Sequence, residues 1–165
     1  MARNPERRAA LVDAAVEVLA SEGARGLTFR AVDAGAGVPL GTSSNYFTDR
    51  DDLLHQIDAH VHRRLVPDRS PLTELLKTPK DRARLLSLTR DLLTRATNDR
   101  TACLALFEMR LEATRRQPAR PGPDETVTVL CLAVLGLLLE HLTLPEITIP
   151  DGLLERIVTT IVPED

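Results

Sequence analysis

The stretch TVTVLCLAVLGLLL, residues 126 to 139, constrains this chain more than any other. It has helical length and apolar residues on every side, so a helix here must be covered on every side. The uninterrupted apolar run, Val129 to Leu139, is too short to span a bilayer and suits a buried core helix. One face can pack on the rest of its own chain. The other needs a further cover, and a second copy of the chain is the economical source. Ala133 and Gly136 permit a close helix approach.

Helical periodicity continues through nearly all of the 165 residues. Leu11, Val12, Ala15, Val18 and Leu19 line one face of a helix over 5–22, opened by Pro5 and closed by Gly23. Thr28 caps a short helix over 29–36. Gly37 makes a turn, and Pro39 opens a third helix over 39–46. Thr48 and Asp51 have capping-box spacing ahead of a helix over 49–65, with Asp49, Asp51 and Asp52 at its positive end. Pro67 and Pro71 break the pattern before a short apolar turn at Leu72, Leu75 and Leu76. Further helices are expected over 80–98, 100–117, 124–142 and 151–162. PARPGP is a loop, and PEITIP, bracketed by prolines, is a connection. The expected fold class is all-α.

Hydrophobic residues are 43% and charged residues 27%, which fits a soluble globular protein. The formal net charge of −3 speaks against strong non-specific nucleic-acid binding. Nothing reads as a signal peptide, so the expected location is the cytoplasm, with no membrane partner. Cys103 and Cys131 lie in apolar helical patterns and read as buried small hydrophobes, the alternative being a disulfide between two packed helices. His55, His60 and His62 do not share one helix face, and no cysteine or carboxylate cluster completes a ligand set. No metal, no cofactor and no enzymatic activity are expected.

Aromatic residues are scarce: three Phe, one Tyr and no Trp. Two of the four meet in GVPLGTSSNYF, residues 37 to 47. Two short helices joined by a glycine turn and packed on a longer first helix make a helix-turn-helix. Phe47 can plug its core with Leu27 or Phe29. Tyr46 then points outward with Thr42, Ser43, Ser44 and Asn45, as an exposed polar recognition face.

The stretch Thr28 to Leu54, TFRAVDAGAGVPLGTSSNYFTDRDDLL, resembles the DNA-binding signature of TetR-type transcriptional repressors. With the first helix the resemblance covers about 50 residues. It implies a DNA-binding domain over 1–48 and a helical ligand-binding and dimerisation domain over 49–165. It also implies a homodimer on a near-palindromic DNA operator, released by a small molecule. By position, Arg30 would reach a base edge or phosphate, and Gly41 would allow close approach. Thr42, Ser44, Asn45 and Tyr46 would contact bases and backbone, and Arg50 a phosphate.

There are departures. Leu40 stands where the family often has Lys or Arg, Ser44 where it usually has Tyr, and Asp33 where Ala is common. Over Met1 to Phe47, Arg3, Arg7, Arg8, Arg25 and Arg30 are balanced by Glu6, Asp13, Glu17, Glu22 and Asp33, so the module is neutral. Arg3, Arg7 and Arg8 read equally as a flexible arm or as a solvated helix start. QPARPGPD stands where the family commonly has a further helix.

A ligand pocket would lie among the helices over 49–65, 80–98, 100–117 and 124–142. Candidate lining residues are Thr89, Cys103, Phe107, Met109 and Arg110, beside Glu108. Phe107 is the only aromatic residue of that region, so the effector is expected to be small and mostly apolar. The alternative reading is a helical small-molecule carrier or protein-interaction module that retains a non-functional helix-turn-helix.

Overall fold

The structure is a computed structural model that describes residues 4–66, 82–116, 125–144, 146, 150 and 152–162. Among these residues there are seven α-helices, one 3-10 turn and no strand. The helices are α1 (Pro5–Gly26), α2 (Phe29–Gly35), α3 (Arg50–Leu65), α4 (Arg82–Asn98), α5 (Arg100–Arg116), α6 (Glu125–Thr143) and α7 (Leu153–Ile161). The 3-10 turn is Ser43–Asn45. The turn expected near Leu72, the PARPGP loop and most of PEITIP lie outside the described residues. None of the described helices is long and apolar enough to cross a membrane.

The chain forms two compact units. The first comprises Met1–Arg64 and Thr101–Pro118, so α3 and nearly all of α5 group with the N-terminal helices. Asn4 caps α1 by accepting from the amides of Glu6 (2.9 Å) and Arg7 (3.3 Å), ahead of Pro5 at the first helical position. Leu11, Val12, Ala15, Val18 and Leu19 are buried, as their spacing predicts. Gly23 leaves the helix at φ 69°, a conformation that residues with a Cβ resist, and one further turn follows to Gly26. The predicted end of the helix is therefore an interior kink. Thr28 caps α2 by accepting from the Ala31 amide at 3.1 Å.

Phe47 is the plug of this unit. It is 1% exposed, its ring lies 6.3 Å from that of Phe29, and the Arg8 guanidinium stands over its face at 5.8 Å. Arg8 is thus part of the packed helix start rather than of a free arm. The cap of α3 sits one residue later than Thr48–Asp51 spacing predicts. Asp49 accepts from the Asp52 amide at 2.8 Å, and Asp52 accepts from the Thr48 amide at 3.0 Å. That Thr48 bond holds the Asp52 carboxyl below its ordinary pKa. Leu53, Ile57, Val61 and Leu65 form the buried stripe of α3.

The second unit comprises Leu65–Arg100 and Ala119–Asp165. Its core joins Leu85 and Leu93 of α4, Leu130, Val134, Leu138 and Leu142 of α6, and Leu154 and Val158 of α7. Arginines close its helix ends. Arg82 Nη2 donates to Val162 O at 2.6 Å, and Arg100 Nη1 donates to Leu142 O at 3.1 Å. The all-round apolar helix α6 buries one face only. Val129, Leu132 and Leu139 are exposed, and so is Cys131, which was expected inside with Cys103.

Truncating the plug tests the first unit. Phe47→Ala removes a fully buried ring and should cost about 3 to 5 kcal/mol in urea unfolding. A loss below about 1 kcal/mol would show that Phe47 does not hold this core.

Candidate DNA-binding face

The recognition segment is organised by one carboxylate. Asp33, in α2, is 0% exposed. A buried carboxylate is tolerable only when hydrogen bonds replace its water. Asp33 Oδ2 accepts from the Gly41 amide at 2.7 Å. Asp33 Oδ1 accepts from the Ser43 amide at 2.8 Å and from Ser43 Oγ at 2.5 Å. The Asp33 backbone carbonyl also accepts from the Val38 amide at 3.0 Å. One residue of α2 therefore holds both ends of the segment 38–43.

This clamp corrects the expected third helix over 39–46. A regular helix would send the Ser43 amide to Pro39 O, but Asp33 takes it. The Thr42 amide bonds Pro39 O at 3.1 Å instead, and Gly41 has φ 89°. Pro39 to Thr42 is thus a β-turn with a left-handed third residue, the type II pattern. Helical bonding resumes only as the 3-10 turn, with the Tyr46 amide on Ser43 O at 2.9 Å.

The predicted contact residues divide. Arg30, Ser44 and Asn45 are exposed and Thr42 is half-exposed. Their short side chains fold back on the turn. Ser44 Oγ donates to Gly41 O at 2.7 Å, Asn45 Nδ2 donates to the same oxygen at 3.2 Å, and Thr42 Oγ1 donates to Pro39 O at 2.5 Å. Their acceptor oxygens remain. Tyr46, expected to face outward, is buried at 9% exposure, and Ser43, expected beside it on the face, is fully buried. The 3-10 turn directs both inward, Ser43 to Asp33.

Arg50 is also differently placed from its expected phosphate contact. The kink at Gly23 leaves the polar groups of Ala24 without helical partners, and side chains supply them. Arg50 Nη2 donates to Ala24 O at 2.5 Å, and Glu108 Oε2 accepts from the Ala24 amide at 3.2 Å. Arg50 Nη1 pairs with Glu112 Oε1 at 3.1 Å. Glu108 and Glu112 are one turn apart on α5, so one face of that helix grips the end of α1. Sequence reading did not find the roles of Asp33, Glu108 or Glu112. For Asp33 the available signal was an acidic residue in a short helix with a hydroxyl residue ten positions on.

Of the candidate ligand residues, Cys103 is buried, Phe107 and Met109 are half-buried and Arg110 is exposed, all on α5 in the first unit. Thr89 is buried in the second unit, with Oγ1 donating to Leu85 O at 2.8 Å. Among the described residues no group of three or more His, Cys, Asp or Glu could hold a metal ion.

Two short helical elements on a longer helix, with an outward polar turn, define a helix-turn-helix regulator. Residues 11–57 match the profile described as bacterial regulatory proteins of the tetR family. The multidrug binding protein EbrR, solved with imidazole, is 25% identical, with a TM-score of 0.67 over 98% of this chain and 93% of that one. A member of the TetR family from Streptomyces coelicolor A3 is 25% identical, with a TM-score of 0.70 over 96% and 99% of the two chains. EbrR solved with ethidium is 24% identical, with a TM-score of 0.65 over 97% and 100%. No curated protein matches the chain significantly. Residues 11–57 thus match the DNA-binding part of tetR-family regulators, and the chain as a whole shares the fold of TetR-family proteins.

The clamp makes a direct prediction. Asp33→Ala leaves two amides and a hydroxyl without their acceptor and should cost about 3 kcal/mol of stability. Urea unfolding measures it, and a change within about 0.5 kcal/mol would mean that the segment does not depend on Asp33.

Proposed function

We propose that this protein is a cytoplasmic, homodimeric repressor whose operator is near-palindromic and whose release is driven by a small, mostly apolar effector. Residues 1–48 bind DNA, and residues 49–165 bind the effector and the second subunit. The observation that carries this reading is the clamped turn at 38–45, which keeps Ser44 and Asn45 exposed and Thr42 half-exposed beside them. Each subunit offers one such turn to the major groove, and two-fold protein symmetry then calls for a two-fold operator.

The dimer reading is supported by α6. Val129, Leu132, Gly136 and Leu139 recur at helical spacing on its exposed side, with Leu132 at 65% exposure. A glycine in the middle of such a stripe allows a close crossing. Effector binding is supported by likeness to EbrR, which has been solved with ethidium and with imidazole. Here Phe107, on the face of α5 that also carries Cys103, is the aromatic residue available to a ligand. The pocket should therefore favour aliphatic shape over stacking.

Release requires that the effector prefer the DNA-incompetent conformation. A ligand that shifts α5 moves Glu108 and Glu112, and with them Arg50 and the end of α1. The coupling must be reciprocal: operator DNA should weaken effector binding by the factor by which effector weakens operator binding.

Two measurements test the reading. In sedimentation the protein should be a dimer at micromolar concentration. Gly136→Leu should weaken it at least about tenfold by overpacking the crossing, although a Cβ at Gly136 meets no described atom within 4 Å beyond the adjoining backbone of its own helix. A stable monomer would exclude this interface. In a salt-controlled gel shift, the protein should bind the promoter region of its own gene. Absence of any sequence-selective shift would favour a carrier or interaction module instead.

A further inference from the structure

Leu40 is the residue of the recognition turn that the family reading leaves without a task. We propose that it determines operator sequence by packing on the methyl group of a thymine in the major groove. This rests on the DNA-binding reading above and goes beyond it.

The placement is specific. Leu40 is 65% exposed, next to the exposed ring of Pro39 and ahead of the polar, exposed Ser44 and Asn45; it is the one large flexible apolar side chain of the turn. It occupies the second position of the Pro39–Thr42 turn. Asp33 pins the chain on both sides of it, through the Val38 amide at 3.0 Å and the Gly41 amide at 2.7 Å. The turn therefore holds Leu40 at the surface, and folding it inward would break the clamp. Beside it, a Cβ built on Gly41 meets nothing within 4 Å. The turn is thus open at its tip, with room for another surface to approach Leu40.

The chemistry of the tip also selects a target. Thr42, Ser44 and Asn45 each donate within the turn, to Pro39 O or Gly41 O. What they still offer outward includes acceptor oxygens. Acceptors and an aliphatic group, with a single spare N–H on Asn45, are a poor match to phosphate, which is itself an acceptor. They match the major-groove edge of an A·T pair, which presents the adenine N6 amino donor and the thymine C5 methyl. A lysine or arginine at position 40 would serve any sequence through the backbone. A leucine serves only a position with a methyl group.

The experiment uses the full-length protein. Its preferred duplex is selected from a random pool, and each thymine of the half-site is replaced in turn by deoxyuridine, which lacks only the methyl. Affinities are measured by anisotropy at fixed salt for wild type, Leu40→Ala and Leu40→Met. One thymine per half-site should emerge at which deoxyuridine weakens wild-type binding about fivefold per half-site, the scale of one buried methyl. Leu40→Met should keep that penalty, and Leu40→Ala should lose it. If no thymine methyl matters to the wild type, or if it matters equally to Leu40→Ala, the proposal is overturned. A pool that enriches no sequence overturns the DNA-binding reading itself, a result distinct from an enriched site that is indifferent to deoxyuridine.

Discussion

The buried carboxylate of Asp33 is the interaction on which the recognition surface depends. Charge is expensive in a protein interior, so such a group persists where its lone pairs are fully used. Here it takes two amides and a hydroxyl from the turn that follows. The consequence is conformational. The amides that would have built a regular third helix are drawn to α2, and a β-turn with a 3-10 turn replaces it. An apolar pair at 33 and 43 could fill the same space. It would not fix which amides point where.

The same logic governs the end of α1. The kink at Gly23 costs hydrogen bonds; Arg50 and Glu108 supply replacements at Ala24, and Glu112 pairs with Arg50. This polar cluster uses the cation that the family resemblance assigned to a phosphate. Within the first unit it also joins the helix-turn-helix to α5. An exposed surface pair would contribute little to stability. This one has a half-exposed arginine against a mostly buried glutamate, and its bonds go to groups of fixed backbone. Its main effect is to make the position of α5 and the end of α1 interdependent.

Much of this was legible in the sequence, for a physical reason. Helical periodicity over four or more turns is redundant, so the long helices are found within a few residues. Phe47 was legible because a wholly apolar ring closing a polar run has one apolar place to go. The turn was not. Pro39 predicts a helix start, and local propensity contains no record that Asp33, several residues earlier, will compete for the amides. Tyr46 followed the same error, since an α-helix and a 3-10 turn aim that position differently. Arg50 was misplaced because its partners lie 62 and 26 positions away. Cys131 belongs to α6, where an apolar pattern on every side cannot say which side its own chain covers.

A neutral module with a leucine at the tip has a definite energetic consequence. Few cations means few released counterions, so a single module gains little from the phosphate backbone and its binding should depend weakly on salt. Affinity must then come from base-edge contacts and from joining two modules. Once one half-site is engaged, the second binds at the effective concentration set by the dimer rather than at the bulk concentration. That gain disappears if the spacing of the two turns no longer matches the two half-sites. A protein built this way loses most of its operator affinity through a small change in geometry. A strongly basic relative would retain non-specific binding after the same change. On the proposed function, weak electrostatics at the turn would make release by a small effector easier, because less binding free energy would survive the loss of register.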